Sequence, residues 1–301
     1  MLRDKSYKKN VKSSKKPLFF QFFVVLSIFG SSCTSDLGKK NSREPVTAGA
    51  FGKNQQESLS DLLKKYVTED RRINYFTWSQ ESNDLSLLDS IIRAFGDADV
   101  NGMSDSEKKS FYVNAYNAFT IDLILSNYNE TLGGDSSPYP QKRSIRNIKN
   151  LDEKVWDEYK WKLNGLNISL NEIEHKLLRP MGDARIHFAI VCASKGCPPI
   201  LNRAFSSENL DETLEQLSHE FVNSGRDTTF NVESNRIKTS KIIDWFASDF
   251  TKSFGSVGGF FSKYSKTVTS DQIKEMKISY FVYDWTLNEP DFHEDARGDS
   301  E

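Results

Sequence analysis

The segment that constrains the fold most strongly is SDSEKKSFYVNAYNAFTIDLIL, residues 104–125. Ser104 and Glu107 have the spacing of a capping box, which satisfies two free amides at the start of a helix. The residues that follow are apolar on nearly every side, and a helix of that kind is buried on every side. Asn114 and Asn117 lie about one turn apart within it, so both amides need hydrogen-bond partners in the core. The partners are either neighbouring loops or a ligand in a polar pocket.

The second half of the chain mixes helix and strand signals. SLNEIEHKLLRP predicts a capped helix that Pro180 ends, with His175 at the edge of its apolar stripe as a packed residue or part of a pocket. RIHFAIV predicts a short buried strand that carries His187. TTFNVESNRIKTS predicts a hairpin, and ISYFVYDWTLN predicts a late strand. Helices in the middle and strands near the end predict a single domain of the α+β class.

The N-terminus indicates export. The first seventeen residues carry seven Lys or Arg and one acid, and LFFQFFVVLSIFG follows them. This is the layout of a secretory signal, and the apolar run of about twelve residues is shorter than the ~20 of a membrane-spanning helix. The small residues of GSSC resemble the lipobox of bacterial lipoproteins, although Gly30 stands where Leu is usual. They predict a signal peptide over residues 1–32 and a lipid on Cys33; the alternative is an ordinary signal peptide with Cys33 as a bystander.

Three further segments follow the signal. Residues 33–56 are rich in Ser, Gly, Lys and Asn without apolar periodicity, so they predict a flexible, lipid-anchored tether. Residues 57–290 are predicted to form the domain, and residues 291–301 are predicted to be an acidic disordered tail. The net charge is −2, and the clustered basic residues belong to the signal. Since nucleic-acid binding needs a basic stripe on the folded domain, no nucleic-acid partner is expected.

Five segments carry a family resemblance: FYVNAYNAFTIDLIL, LNISLNEIEHKLLRP, ARIHFAIVCASKGCPP, KTSKIIDWFASDF and YDWTLN. In this order, from about residue 105 to 288, they resemble the family called domain of unknown function 547. The family is named for having no established activity, and its bacterial members often look secreted or lipid-anchored. The chain is also distantly similar to the papain and transglutaminase-like thiol hydrolases. That similarity implies a buried core helix packed on a mostly antiparallel sheet that carries the histidine, but the matching helix here has no cysteine at its start.

The residues of ARIHFAIVCASKGCPP allow two kinds of chemistry. A thiol mechanism would use Cys192 or Cys197 as nucleophile, His187 as base and Asp284 to orient the base. Along a strand Cys192 faces away from His187, whereas Cys197 lies beyond a turn and can fold back. Alternatively, the two cysteines form a disulfide in an oxidising compartment. The spacing of these residues and His175 matches no zinc motif, and no phosphate-binding glycine loop is present, so no metal or cofactor is expected.

Two functions are consistent with these features. One is a binding or scaffold protein of the bacterial cell envelope, held on a membrane by lipid at Cys33 and facing the periplasm or the cell exterior. Its pocket would contain Asn114, Asn117 and His175 and would take a small molecule or an envelope polymer. The other is an envelope thiol-dependent amide hydrolase or transferase that uses the cysteines with His187. A cysteine pair in an exported protein is more often structural, which favours the first.

Overall fold

The computed structural model describes residues 51–128 and 143–290. Cys33, the predicted signal peptide and the acidic tail lie outside these ranges. The α-helices are α1 Lys53–Tyr66, α2 Tyr75–Gln80, α3 Ser82–Asp97, α4 Asp105–Asn127, α5 Val155–Glu158, α6 Leu170–Glu172, α7 Leu210–Asn223, α8 Lys241–Trp245, α9 Ala247–Phe254, α10 Val257–Tyr264 and α11 Ser270–Glu275. The strands are β1 Trp161–Leu163, β2 Leu166–Ile168, β3 Thr228–Asn231, β4 Arg236–Thr239 and β5 Lys277–Tyr280. Short 3₁₀ segments are Ile145–Asn150, Asp152–Lys154, Arg179–Met181, Ala184–Phe188 and Ser207–Asn209, and Ile173–Leu178 is a π-helix.

Helix α4 is the buried centre of the domain, as its composition predicts. The Ser104 side chain accepts a hydrogen bond from the Glu107 amide, and the Glu107 carboxylate accepts one from the Ser104 amide at 2.8 Å, so the predicted capping box is confirmed. The helix packs mainly against α2, α3, the π-helical segment and the 3₁₀ segment Ser207–Asn209, and its Phe119 ring stacks on Trp161 of β1. The α+β class and the single domain are confirmed.

Two small sheets complete the fold. Strands β1 and β2 form an antiparallel hairpin. Strands β3 and β4 pair antiparallel with Thr228 opposite Thr239, which confirms the predicted hairpin, and β5 adds to β4 in parallel. The predicted late strand ends at Tyr280, because the residues after it pair with the cysteine turn instead. Ser194 forms an isolated bridge with Leu287 there.

The predicted strand at RIHFAIV is wrong. Residues Ala184–Phe188 form a 3₁₀ helix, which begins at Asp183 with its side chain accepting from the Arg185 amide. The next residues are irregular, and the side chain of Asn117 rather than a neighbouring strand binds their backbone. Short apolar runs indicate burial but do not distinguish a buried strand from another buried segment.

The ordered domain begins before the predicted boundary at residue 57. Helix α1 starts at Lys53, and the Phe51 ring stacks on Phe95 with ring centroids 4.1 Å apart. The last residues of the predicted tether therefore belong to the packed structure. Across the two described ranges, every helix is too short or too polar to cross a bilayer.

Candidate functional site

Asn114 and Asn117 hold two loops against α4. The Asn114 amide donates to the Phe205 carbonyl at 2.9 Å and accepts from the Phe205 amide at 2.8 Å. The Asn117 amide donates to the Ala189 carbonyl and accepts from the Val191 amide, both at 2.9 Å. Both asparagines are buried, so the prediction that they are buried and hydrogen-bonded is confirmed. Their partners are loops, which gives them a role in positioning the segment after His187.

His187 is completely enclosed. Its side chain is 1% exposed, and its ring stacks on Phe246 with centroids 3.8 Å apart. Its Nε2 atom lies 2.9 Å from a carboxylate oxygen of Asp249, which comes from α9. The structure thus gives Asp249 the orienting place that the sequence assigned to Asp284. The Asp284 side chain is exposed and accepts from an amide of its own loop.

Arg179 fixes Asp249 from the other side. Its Nε and Nη2 atoms donate to the two Asp249 oxygens at 2.7 and 2.9 Å, a bidentate pair that sets the carboxylate plane. Burial alone would raise the pKa of Asp249, but the His187 hydrogen bond and Arg179 outweigh it and hold this pKa well below its usual range. A third nitrogen of Arg179 lies 2.6 Å from Nδ1 of His175. His175, the predicted pocket residue, therefore lies at the exposed end of a row of side chains that continues through Arg179 and Asp249 to His187.

Glu174 faces the other nitrogen of His187. One of its oxygens lies 3.9 Å from His187 Nδ1, and its side chain is only 13% exposed. Burial raises the pKa of Glu174 to about 7, with Arg179 offsetting part of the effect. Burial also lowers the pKa of His187, with the Asp249 hydrogen bond offsetting part. Since ionised Asp249 accepts from Nε2, a neutral His187 presents the lone pair of Nδ1 toward Glu174.

The row formed by Glu174, His187 and Asp249 can hold and move a proton near neutral pH. A carboxyl with a pKa near 7 exchanges its proton readily at that pH, which is the property of a general acid or base. Glu174 and His175 both lie on the π-helical segment, a conformation found frequently at functional sites. Sequence reasoning missed Glu174, although its place one turn before the buried Leu178 put it on the inner face.

The two cysteines form a separate cluster. Their sulfurs lie 2.6 Å apart, and both are free thiols. The Tyr283 hydroxyl is 3.3 Å from the Cys192 sulfur and 3.1 Å from the Cys197 sulfur, and the Ser194 hydroxyl also reaches both. Among the contacts of residues 51–128 and 143–290, no hydrogen bond joins either sulfur to His187. The fold therefore does not assemble the predicted cysteine–histidine pair by direct contact.

Aromatic side chains connect the two clusters. The buried Tyr116 phenol interacts electrostatically with Glu174, and Trp156 also lies beside it. The ring centroids of Trp156 and Trp285 lie 5.6 Å apart, and those of Trp285 and Tyr283 lie 4.6 Å apart. Tyr283 is the residue that contacts both sulfurs. Trp245 joins Tyr283 at 4.7 Å and Trp285 at 5.8 Å and is 46% exposed. We call Trp156, Trp245, Tyr283 and Trp285 the aromatic cluster.

A known protein family covers part of the residues of this site. Residues 100–222 match the family described as "Protein of unknown function, DUF547". These residues belong to that family. The matched stretch contains Glu174, His187 and both cysteines of the pair, whereas Asp249 lies beyond it. Searches of curated proteins and of solved structures each gave no match.

Glu174, His187 and Asp249 are also of the residue types that bind metal ions. Within the part of the chain that the structure describes, no group of three or more His, Cys, Asp or Glu is arranged to hold a metal ion. The positions of Glu174, His187 and Asp249 are explained by their contacts with one another and with Arg179.

Proposed function

We propose that this protein is exported, is anchored to a bacterial membrane by lipid on Cys33, and hydrolyses or transfers amide bonds of a cell-envelope polymer. The single observation that supports the chemistry is the row Glu174–His187–Asp249. Nucleophile, base and orienting group commonly lie in such a row, and perturbed pKa values cluster at functional sites. The localisation rests on the basic N-terminus, the short apolar run and the small residues before Cys33.

In the proposed reaction Glu174 acts as general base. Its carboxylate takes a proton from a water whose oxygen attacks the amide carbonyl carbon. As the carbon–nitrogen bond breaks, the protonated Glu174 returns that proton to the leaving amine, so the products are a carboxylic acid and an amine. The Nδ1 atom of neutral His187 faces Glu174 at 3.9 Å, and Asp249 keeps the tautomer of His187 fixed. This assigns the amide chemistry to Glu174 rather than to Cys192 or Cys197.

The catalytic test compares Glu174→Gln with wild-type protein on purified bacterial cell-wall polymer and on small amide substrates, with released amine as the readout. Loss of a general base should reduce the rate by roughly 10²- to 10⁴-fold. Glu212→Gln is the matched control, because Glu212 lies exposed on α7. Full activity of Glu174→Gln would refute the assignment, and a wild type inactive on every amide would refute the reaction class.

The localisation has its own test. Cys33→Ala should move the protein from the membrane fraction to the soluble fraction, and the intact mass should lose its acyl groups. The lipid anchor would be refuted if Cys33→Ala fractionated like the wild type and the wild-type protein carried no acyl group. In an oxidising compartment we also expect Cys192 and Cys197 to be able to form a disulfide.

A second candidate, a non-catalytic binding protein for a small molecule or an envelope polymer, is favoured by the aromatic cluster. Trp245 is 46% exposed and packs beside Tyr283 and Trp285, and such amphipathic rings commonly supply binding surface. Sedimentation with the polymer separates the two candidates. Binding by the wild type that Trp245→Ala weakens, without any released amine, would support the binding protein.

A further inference from the structure

The turn from Cys192 to Cys197 brings two thiols together in a fixed geometry. Their sulfurs lie 2.6 Å apart, in direct contact with each other. Cys192 is half-buried and Cys197 is buried. Cys192, the less buried residue of the two, is thus the one that an external reagent meets first.

The backbone of this turn is held by the segment that follows β5. The Lys195 amide donates to the Thr286 carbonyl at 2.7 Å, and the Gly196 amide donates to the Asp284 carbonyl at 2.9 Å. A Cβ atom at Gly196 would lie 2.9 Å from the Tyr283 ring, so glycine is required for the close approach of that ring. The sulfurs therefore stay together without a covalent bond between them.

Ala193, in the same turn, has an unfavourable backbone conformation. Its φ of 58° lies in the left-handed region, which is unfavourable for a residue other than glycine. The Asn288 amide binds its carbonyl at 3.1 Å and holds this conformation. Such strain persists only where the surrounding structure imposes it, and it clusters at active sites.

Several donors converge on the Cys197 sulfur. The Cys192 amide lies 3.1 Å away, the Tyr283 hydroxyl 3.1 Å and the Ser194 hydroxyl 3.4 Å, in addition to the Cys192 thiol. Burial alone would raise the pKa of Cys197, but these hydrogen bonds outweigh it and lower this pKa. A thiolate at this position is both the leaving group and the nucleophile that disulfide exchange requires.

We propose that Cys192 and Cys197 form a redox-active dithiol that exchanges with disulfides of small molecules or proteins, with Cys192 as the contacting thiol and Cys197 as the resolving thiol. This activity is independent of the proposed amide chemistry. It differs from a permanent staple in that the pair would pass reversibly between two thiols and a disulfide.

The exchange balances as follows. The Cys192 thiol loses its proton to solvent, and its thiolate attacks one sulfur of a disulfide RSSR; that sulfur–sulfur bond breaks, and RS⁻ leaves and takes up a proton from solvent. Cys197 then loses its proton, and its thiolate attacks the Cys192 sulfur of the mixed disulfide. A second RS⁻ leaves and is protonated, and the Cys192–Cys197 bond forms. Two electrons and two protons pass from the dithiol to RSSR, which becomes two RSH.

The first experiment titrates the full chain carrying Cys33→Ser, which leaves two of its three cysteines, in glutathione buffers from fully reduced to fully oxidised. Acid quenching, alkylation and intact mass count the free thiols. We expect a reversible passage from two free thiols to none within the glutathione range. A pair that stays closed in reduced glutathione is a structural disulfide, and a pair that stays open in glutathione disulfide is inert; either result would overturn the proposal.

The second experiment assigns the two roles. With glutathione disulfide, Cys197→Ser should accumulate one glutathione on Cys192, while Cys192→Ser should react on the order of tenfold more slowly because its remaining thiol is buried. The reverse order of rates would overturn the assignment. Tyr283→Phe, compared with the control Tyr280→Phe on β5, should raise the pH midpoint of thiol alkylation, because a donor to the Cys197 sulfur is lost. Equal pH midpoints for the two variants would show that Tyr283 does not act on the thiols.

Discussion

Replacing Glu174 with Gln should remove a pH dependence from the stability of the fold. The folded protein raises the pKa of Glu174 from the ordinary 4.5 to about 7, because the carboxyl is buried. Between these two values the folded state binds a proton that the unfolded chain has already released. Stability therefore falls as the pH rises through this interval, since the unfolded state binds fewer protons than the folded state.

The magnitude follows from the size of the shift. A full shift from 4.5 to about 7 corresponds to roughly 3 kcal/mol at 1.36 kcal/mol per pKa unit. About 2 kcal/mol of this is lost between about pH 5 and about pH 8, where titration of the folded carboxyl is centred. Gln keeps the shape and stays neutral, so Glu174→Gln should lose none of it. The two proteins should accordingly diverge in stability as the pH rises.

The assay is urea unfolding of both proteins across this pH interval, followed by circular dichroism. The difference between their unfolding free energies cancels the titration of every other group that the substitution leaves undisturbed. Glu212→Gln serves as the exposed control and should run parallel to the wild type. Parallel curves for Glu174→Gln and the wild type would mean that Glu174 titrates as an ordinary surface carboxyl, and the argument for proton transfer would fall.

Three further substitutions test the surroundings of the site. Asn117→Leu leaves a backbone amide and a carbonyl unpaired in the core and should cost about 2 to 4 kcal/mol in urea unfolding; a loss below about 0.5 kcal/mol would contradict this. Gly196→Ala drives a methyl group into an aromatic ring and should cost about 1 to 3 kcal/mol, whereas Gly102→Ala, with open space around it, should cost far less; equal losses would contradict the close approach. Asp249→Asn removes the anion that partly offsets burial, so the pKa of His187 should fall further, as NMR titration of the ring would show; a rise would contradict it.

Local patterns were read correctly where neighbours in the chain decide the structure. The Ser104 capping box and the β3–β4 hairpin depend on residues a few positions apart, and both formed as expected. The burial of Asn114 and Asn117 followed from the absence of any polar face on α4. The strand expected at His187 failed because burial of a short run leaves its backbone conformation open, and the Asn117 side chain took the place of a strand partner.

The sequence by itself determined the class of the fold, its central helix and the segment that carries His187 and the cysteines. Only the tertiary structure decided which groups meet. Asp249 reaches His187 across 62 residues, and Tyr283 reaches Cys197 across 86. Helical and strand periodicities describe contacts a few residues apart, whereas these pairings depend on how α9 packs on the segment Ala184–Phe188 and how the residues after β5 pair with the cysteine turn. The free energy of that packing is shared among many buried side chains, so no single motif encodes it.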